Sequence, residues 1–490
     1  MKIDYKIVDR VIYVYLIVVL VGASHPSISE ILRGFIGATL LFLLPYVIGR
    51  FLMEVTNCNS SCLLRLQSDF IIDFMFCWFF GSASLFILAI FLSLIGFFSI
   101  FNLTVIILMT ALVSLVINFL KKGLALRDID LSWREFILLI LIMSIGWIAT
   151  LVYRLDSPFP YQPNWDMFQD LYIAGRICEF GEFHIQPQEY APYYYSRIGT
   201  TMFDLLLALS AYWSHSEQLS IYWCGPFLYN SIYGLLLYLW VKRVTGRTLP
   251  ALITAFVSVF IFEHNPVGLM QIRQDRLLVL AFPYLMVLVD NYVSKTRNLK
   301  NLIAITSIYA AAILLHPYTG SFIAAILTLF LLTDMSEEKN KRIIYGLLPA
   351  IAVLVVVMVK FQMISLASLF VLDLTGSVGL PPASESFRLK LMETWYSPLV
   401  FGIFLAGLLV SSYHICDNLR RYCFLASLLL ILYYSPIIGI SRVALFIHPF
   451  IAFFAVLSVE FLARELSEAL KLNDVGRKRI FNIIIAVSYT

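Results

Sequence analysis

The chain has 490 residues, 60% of them hydrophobic and 13% charged, with a mean hydropathy of +0.86. A soluble domain carries about a quarter charged residues, so too little polar side chain is present to coat a soluble particle. The formal net charge of +4 sits in short clusters between apolar runs, which argues for topology signals and against a nucleic-acid surface.

Lys2, Lys6 and Arg10 precede a first apolar run near 8–24, and no small-residue cleavage site follows. This run is expected to be a retained helix. Further runs lie near 34–55, 70–98, 103–120 and 133–153, then 199–213, 219–241, 249–263, 276–293, 302–316, 318–333, 343–364, 398–412, 421–438 and 443–461. Inside a bilayer the backbone must satisfy itself, and runs of this length do so as helices. The expected fold is therefore all-α, a polytopic transmembrane bundle of about 14 spans with amphipathic helices in its outer loops. Of the seven cysteines, Cys58 and Cys62 form a C-x-x-x-C pair with no histidine beside it, so no zinc site is expected there.

Orientation follows from lysine and arginine in short loops. KKGLALR (121–127), KRVTGR (242–247), SKTRNLK (294–300), SEEKNKR (336–342), DNLRR (417–421) and the basic tail 464–479 all read as cytoplasmic. The segment Tyr161–Arg197 then falls outside. An odd number of crossings must separate it from KRVTGR, so the short run 199–213, which carries Asp204, is expected to lie in or under the outer interface without crossing. Alternation also places EHNPVGLMQIRQDR (263–276), HPYTG (316–320), 365–397 and GISR (439–442) on the outer face. Segment 365–397, punctuated by Gly379-Leu-Pro-Pro, reads as a lid over a lipid substrate.

Tyr161–Arg197 is the longest polar interruption in the chain. Asn164 is a candidate N-cap, and a helix follows it. Met167, Phe168, Leu171, Tyr172 and Gly175 are expected on its apolar side, with Asp166, Gln169, Asp170 and Arg176 on its wet side. Two carboxylates one turn apart can divide labour between a general base and a ligand for a sugar or divalent cation. Equally, Asp166 can serve the helix dipole and Asp170 a local arginine.

The fragment NWDMFQDLYIAGRI, in an outer loop of a polytopic chain, resembles the acid-bearing helix of the GT-C fold glycosyltransferases. The resemblance implies an extracytoplasmic active site in the plasma membrane, a polyprenyl-phosphate-linked sugar donor, and a lipid, glycan or protein acceptor. It implies Asp166 and Asp170 as the catalytic carboxylates and leaves Mg or Mn open as a cofactor. It divides the chain into N-terminal helices (1–132), a catalytic module (133–463) with outer loops 154–198 and 365–397, and a basic cytoplasmic segment (464–490). Several helices precede the acid-bearing loop, which reads as an N-terminal extension, and the acids are spaced Asp-x-x-x-Asp.

A phosphate-linked donor needs cations at headgroup depth. Arg273 and Arg276, three residues apart, can clasp one phosphate, with His264 nearby. His316 and Tyr318 sit in the HPYTG bend. Arg442 lies among apolar residues, where a charge is expensive without a partner or ligand. Each also has a plainer reading, as an interface anchor or a structural group. The aromatic cluster Tyr190–Tyr195 fits an interfacial belt or a stacking platform for sugar rings. No Gly-rich nucleotide loop is present, which disfavours a nucleotide-sugar donor. A rival class is a transporter or flippase for a lipid-linked or anionic solute, which needs ionisable groups near the membrane midplane.

Overall fold

The computed structural model describes residues 2–3, 5–25, 27–55, 70–120, 129–130, 133–156, 165–181, 183, 200–260, 274–294, 299–334, 398–414, 417–434 and 443–470. They are helical apart from loop residues and a two-residue antiparallel pair, β1 (Lys2–Ile3) with β2 (Ile129–Asp130). Among the described residues, four helices contain stretches long and apolar enough to cross a membrane: Glu30–Val55, Ile71–Leu94, Ile100–Ile117 and Phe446–Leu466. The other apolar helices are shorter. By contacts the chain forms two compact units, Met1–Leu236 with Leu269–Ala325, and Leu237–Gly268 with Ile326–Thr490. This division by packing is independent of the division by role drawn at 132/133.

The first unit is built around α2 (Glu30–Val55) and α3 (Phe70–Leu94). Glycine permits their approach: a Cβ on Gly49 would lie 1.9 Å from the Cys77 carbonyl oxygen, and one on Gly81 would lie 1.8 Å from that of Pro45. Small residues at such crossings let helix backbones pack where no hydrophobic force draws them together. Pro45 removes the helical bond to the carbonyl of Leu41. Trp78 Nε1, on α3, donates to that carbonyl at 3.1 Å. A proline inside an apolar helix is tolerated when a neighbour satisfies the freed group.

Helix α1 (Tyr5–Gly22) adds a buried ionic cluster. Asp9 is fully buried; its Oδ1 accepts from the Tyr46 hydroxyl at 2.7 Å, and its Oδ2 accepts from Arg50 Nε at 3.1 Å. Arg50 Nε also lies 3.6 Å from Glu54 Oε1. Asp9 is in the second turn of α1, and Arg50 is five residues before the end of α2. The cluster thus belongs to the ends of these helices and not to their middles.

Helix α4 (Ile100–Leu120), α5 (Trp133–Asp156) and α6 (Trp165–Phe180) lead to α7 (Met202–Ser214) and the long α8 (Gln218–Thr245). Helix α7 is buried on nearly every side, touching α1, α2, α3, α4 and α6. Its 13 residues rise about 20 Å, short of the roughly 30 Å hydrocarbon core. Asp204 has a role that the sequence reading did not foresee. It closes a capping box with Thr201: Asp204 Oδ2 accepts from the Thr201 N–H at 2.8 Å, and Thr201 Oγ1 accepts from the Asp204 N–H at 3.3 Å. Helix α10 (Gln274–Ser294) packs on α11 (Leu299–Leu315), and α12 (Pro317–Asp334) begins one residue later.

In the second unit, α15 (Val443–Ala469) packs on α9 (Thr248–Phe260), α13 (Pro398–His414) and α14 (Asp417–Tyr434). Trp240 meets Tyr422, Phe450 and Phe453 at ring separations of 5.1 to 5.4 Å. His448 is fully buried, its Nε2 2.7 Å from the Ser258 carbonyl oxygen. Arg247 pairs with Glu460.

Candidate functional site

The acid-bearing fragment forms a helix, α6, ended by Gly181 at φ 63° in the left-handed conformation usual for a glycine C-cap. The buried positions of α6 are Asp170, Ile173, Ala174 and Ile177, spaced as one stripe of a helix. Tyr172 and Phe180 are exposed. This corrects the expected wet face: Asp170 is 1% exposed and heads the inward stripe. The reason is that a buried ionisable group is kept where protein partners satisfy it, and the inward stripe of α6 offers them.

Among the contacts of Asp170 is one to α8: its Oδ2 accepts from the Tyr222 hydroxyl at 3.3 Å. Both residues are buried, and Phe203 of α7 stands edge-on to the Tyr222 ring at 6.1 Å. Lower on α6, the Cys178 thiol donates to the Ala208 carbonyl of α7 at 3.3 Å. Burial pushes that thiol up to about 11, against a lowering hydrogen bond from Gln218 and with a smaller rise from Glu179. Past Gly181, the Phe183 carbonyl accepts from Ser93 Oγ at 3.1 Å, and its ring packs on Phe86 and Phe98. Helix α6 thus packs chiefly on α7, touches α8 through Asp170, and is followed by a contact to the end of α3 and the α3–α4 turn.

The next residue of α8 faces α5. Arg154, 5% exposed, donates from Nη2 to the Trp223 carbonyl at 3.1 Å and lies 5.3 Å over the Trp223 ring. Consecutive residues of one turn, Tyr222 and Trp223, therefore hold an acid from α6 and a cation from α5. The sequence reading passed over both aromatic residues. The available signal was the pair of hydrogen-bonding aromatics at the start of a long apolar helix, because such groups seek partners when buried. Arg154 was legible as a charge at the end of an apolar run.

Asp166 is in the first turn of α6, one turn before Asp170, with its side chain outside the described residues. Arg276 is in the first turn of α10 and Tyr318 in that of α12, with the same limit. Arg273, His264, Arg442, the cluster Tyr190–Tyr195 and the segment 365–397 lie outside the described residues altogether. His316 is half-buried at the junction of α11 and α12; its N–H donates to the Ala312 carbonyl, and its own carbonyl accepts from the Gly320 N–H. A Cβ on Gly320 would lie 2.3 Å from the Ala312 carbonyl oxygen, so glycine is needed where the chain doubles back.

Among the described residues no group of three or more His, Cys, Asp or Glu could hold a metal ion. No family model matches the chain, and no curated protein matches it.

Proposed function

We propose that the chain is a membrane glycosyltransferase of the GT-C type, a bundle of about 14 spans working on the extracytoplasmic face of the plasma membrane. The donor is a polyprenyl-phosphate-linked sugar. The acceptor is a hydroxyl or amine of a lipid, glycan or protein. Asp166 takes the proton from the acceptor as its lone pair attacks the anomeric carbon. The bond from that carbon to the phosphate oxygen breaks, its electron pair leaves with the polyprenyl phosphate, and the centre inverts. Arg273, Arg276, His264, His316, Tyr318 and Arg442 are the groups proposed to receive the phosphate, where paired donors stabilise the departing charge.

The observation that supports this reading is the docking of α6. The helix that carries Asp166 packs on α7 and buries its second carboxylate against Tyr222, and general-base catalysis needs its base held near attack geometry. The test uses full-length protein in lipid nanodiscs with radiolabelled polyprenyl-phosphate hexoses and pentoses and a membrane extract as acceptor source. Release of polyprenyl phosphate should fall about 10²- to 10⁴-fold in Asp166→Asn. Release by the wild type no faster than by Asp166→Asn would overturn the reading.

The buried Asp9–Arg50–Glu54 cluster favours a second reading, a transporter or flippase for a lipid-linked or anionic solute, because ionisable groups inside a bundle often mark a pathway. Its position near helix ends weighs against that. A flippase would move the polyprenyl-phosphate sugar between leaflets with no polyprenyl phosphate released.

A further inference from the structure

Asp166 and Asp170 differ in a way that their spacing alone does not disclose. Asp170 is 1% exposed, among Ile173, Ala174 and Ile177 on the stripe that α6 presents to the bundle. A carboxylate in that position cannot meet an acceptor unless α6 lifts away. It does meet Tyr222, itself fully buried, at 3.3 Å. A buried carboxylate is costly unless donors surround it, so this contact, among those Asp170 makes, ties α6 to α8 beside its main packing on α7. Asp166 lies four residues earlier on the same helix.

We propose that Asp170 is a positioning residue and Tyr222 its anchor: the pair docks α6 on α8 and thereby sets where Asp166 is held. The inference rests on the reading of Asp166 as the general base. It assigns different work to the two acids, one reacting and one holding, and it adds Tyr222 to the residues on which transfer depends.

Cys178 supplies a reporter that needs no transfer activity. It sits two turns beyond Asp170, half-buried, with its thiol on the Ala208 carbonyl of α7. Loosening α6 exposes it. Full-length protein in nanodiscs is treated with N-ethylmaleimide at neutral pH, and modification of the Cys178 peptide is followed by mass spectrometry. The rate should rise about 10-fold in Tyr222→Phe, the size of one lost buried hydrogen bond, and at least as much in Asp170→Asn, which has further contacts to lose; the double variant should fall short of the product of the two, because they share one linkage.

In the polyprenyl phosphate assay, kcat should fall about 10- to 100-fold in each single variant, with KM for the donor unchanged, whereas Asp166→Asn loses nearly all release. Variants are compared only where gel filtration matches the wild type; Tyr222→Phe keeps the ring and carries the test if Asp170→Asn does not fold. Unchanged Cys178 rates in the folded variants overturn the docking role. So does an Asp170→Asn variant as inactive as Asp166→Asn beside a fully active Tyr222→Phe, because Asp170 would then be a reacting group. If the wild type releases nothing, the transferase reading falls, and the Cys178 rates still decide whether the pair docks α6.

Discussion

Trp78 Nε1 donates to the carbonyl oxygen of Leu41 at 3.1 Å, the acceptor that Pro45 leaves without its helical partner. Two features four residues apart on α2 are thereby answered by one residue of α3. Replacing Trp78 with Phe keeps most of the ring and removes the donor. The cost should be about 1–3 kcal/mol, that of leaving a buried carbonyl unsatisfied. Pro45→Ala restores the backbone N–H, so in that background Trp78→Phe should cost measurably less. Thermal unfolding of the four proteins in one detergent forms the cycle; equal losses in both backgrounds would show that packing against Phe42, 5.7 Å away, is the larger effect.

The buried cluster at the ends of α1 and α2 predicts an order of damage. Asp9→Asn removes the carboxylate charge at 3.1 Å from Arg50 but leaves Glu54 at 3.6 Å. Arg50→Met removes the cation from both Asp9, which keeps the Tyr46 hydroxyl, and Glu54. Removing one member of a buried pair costs about 3–5 kcal/mol, and Arg50→Met should lie at the upper end, with Asp9→Asn below it. The double variant Asp9→Leu with Arg50→Met should recover much of the loss, because a packed apolar pair carries no desolvation cost. Unfolding midpoints give the ranking; a double variant as damaged as Arg50→Met alone would contradict it.

The helical layout was legible because apolar runs of spanning length leave the backbone few options. The runs near 34–55 and 70–98 reappear as α2 and α3 with bounds within four residues, and the run near 443–461 as α15, which continues to Ala469. The seat of α6 was not legible. Periodicity puts Leu171, Tyr172 and Gly175 on the apolar side with Met167 and Phe168, whereas the buried stripe runs through Asp170, Ile173, Ala174 and Ile177, because the packed face is set by the partners an acid finds and not by apolar periodicity alone. Asp204 enters the sequence reading only as a charge carried by the short run 199–213, although Thr201-x-x-Asp204 before apolar residues is a capping-box pattern. Tyr222 carries no motif. Its importance comes from which helix faces it, and that information lies in packing.

His215 is the one non-glycine residue with positive φ among the described residues, at φ 49° and ψ 37°. It ends α7, its N–H donating to the Ala211 carbonyl, and its own carbonyl accepts from Arg33 Nη1 at 3.4 Å. Both contacts use backbone atoms, so they survive any side chain. The Cβ is what strains this conformation, by about 1–2 kcal/mol, offset in part because glycine loosens the unfolded chain. His215→Gly should therefore raise stability by about 0.5–1 kcal/mol, and His215→Val should lower it. A lower unfolding midpoint for His215→Gly would mean that the imidazole makes a contact worth more than the strain.

Cys178 gives the fold a dependence on alkaline pH. Its thiol is pushed up to about 11 mainly because burial disfavours the thiolate, with Gln218 opposing and Glu179 adding. In the unfolded chain a thiol loses its proton nearer its ordinary value of about 8.5. The folded state therefore holds a proton that the unfolded state has released, and the stabilising contribution, complete below that ordinary value, is lost as pH climbs towards 11. Reactivity follows the same curve, because the thiolate is the nucleophile. Alkylation of Cys178 by iodoacetamide should stay slow at pH 9 and rise steeply towards pH 11, while protein unfolded in detergent and urea reaches its plateau earlier. In Tyr222→Phe the folded curve should move down towards the unfolded one, because a helix released from α8 carries Cys178 back into water.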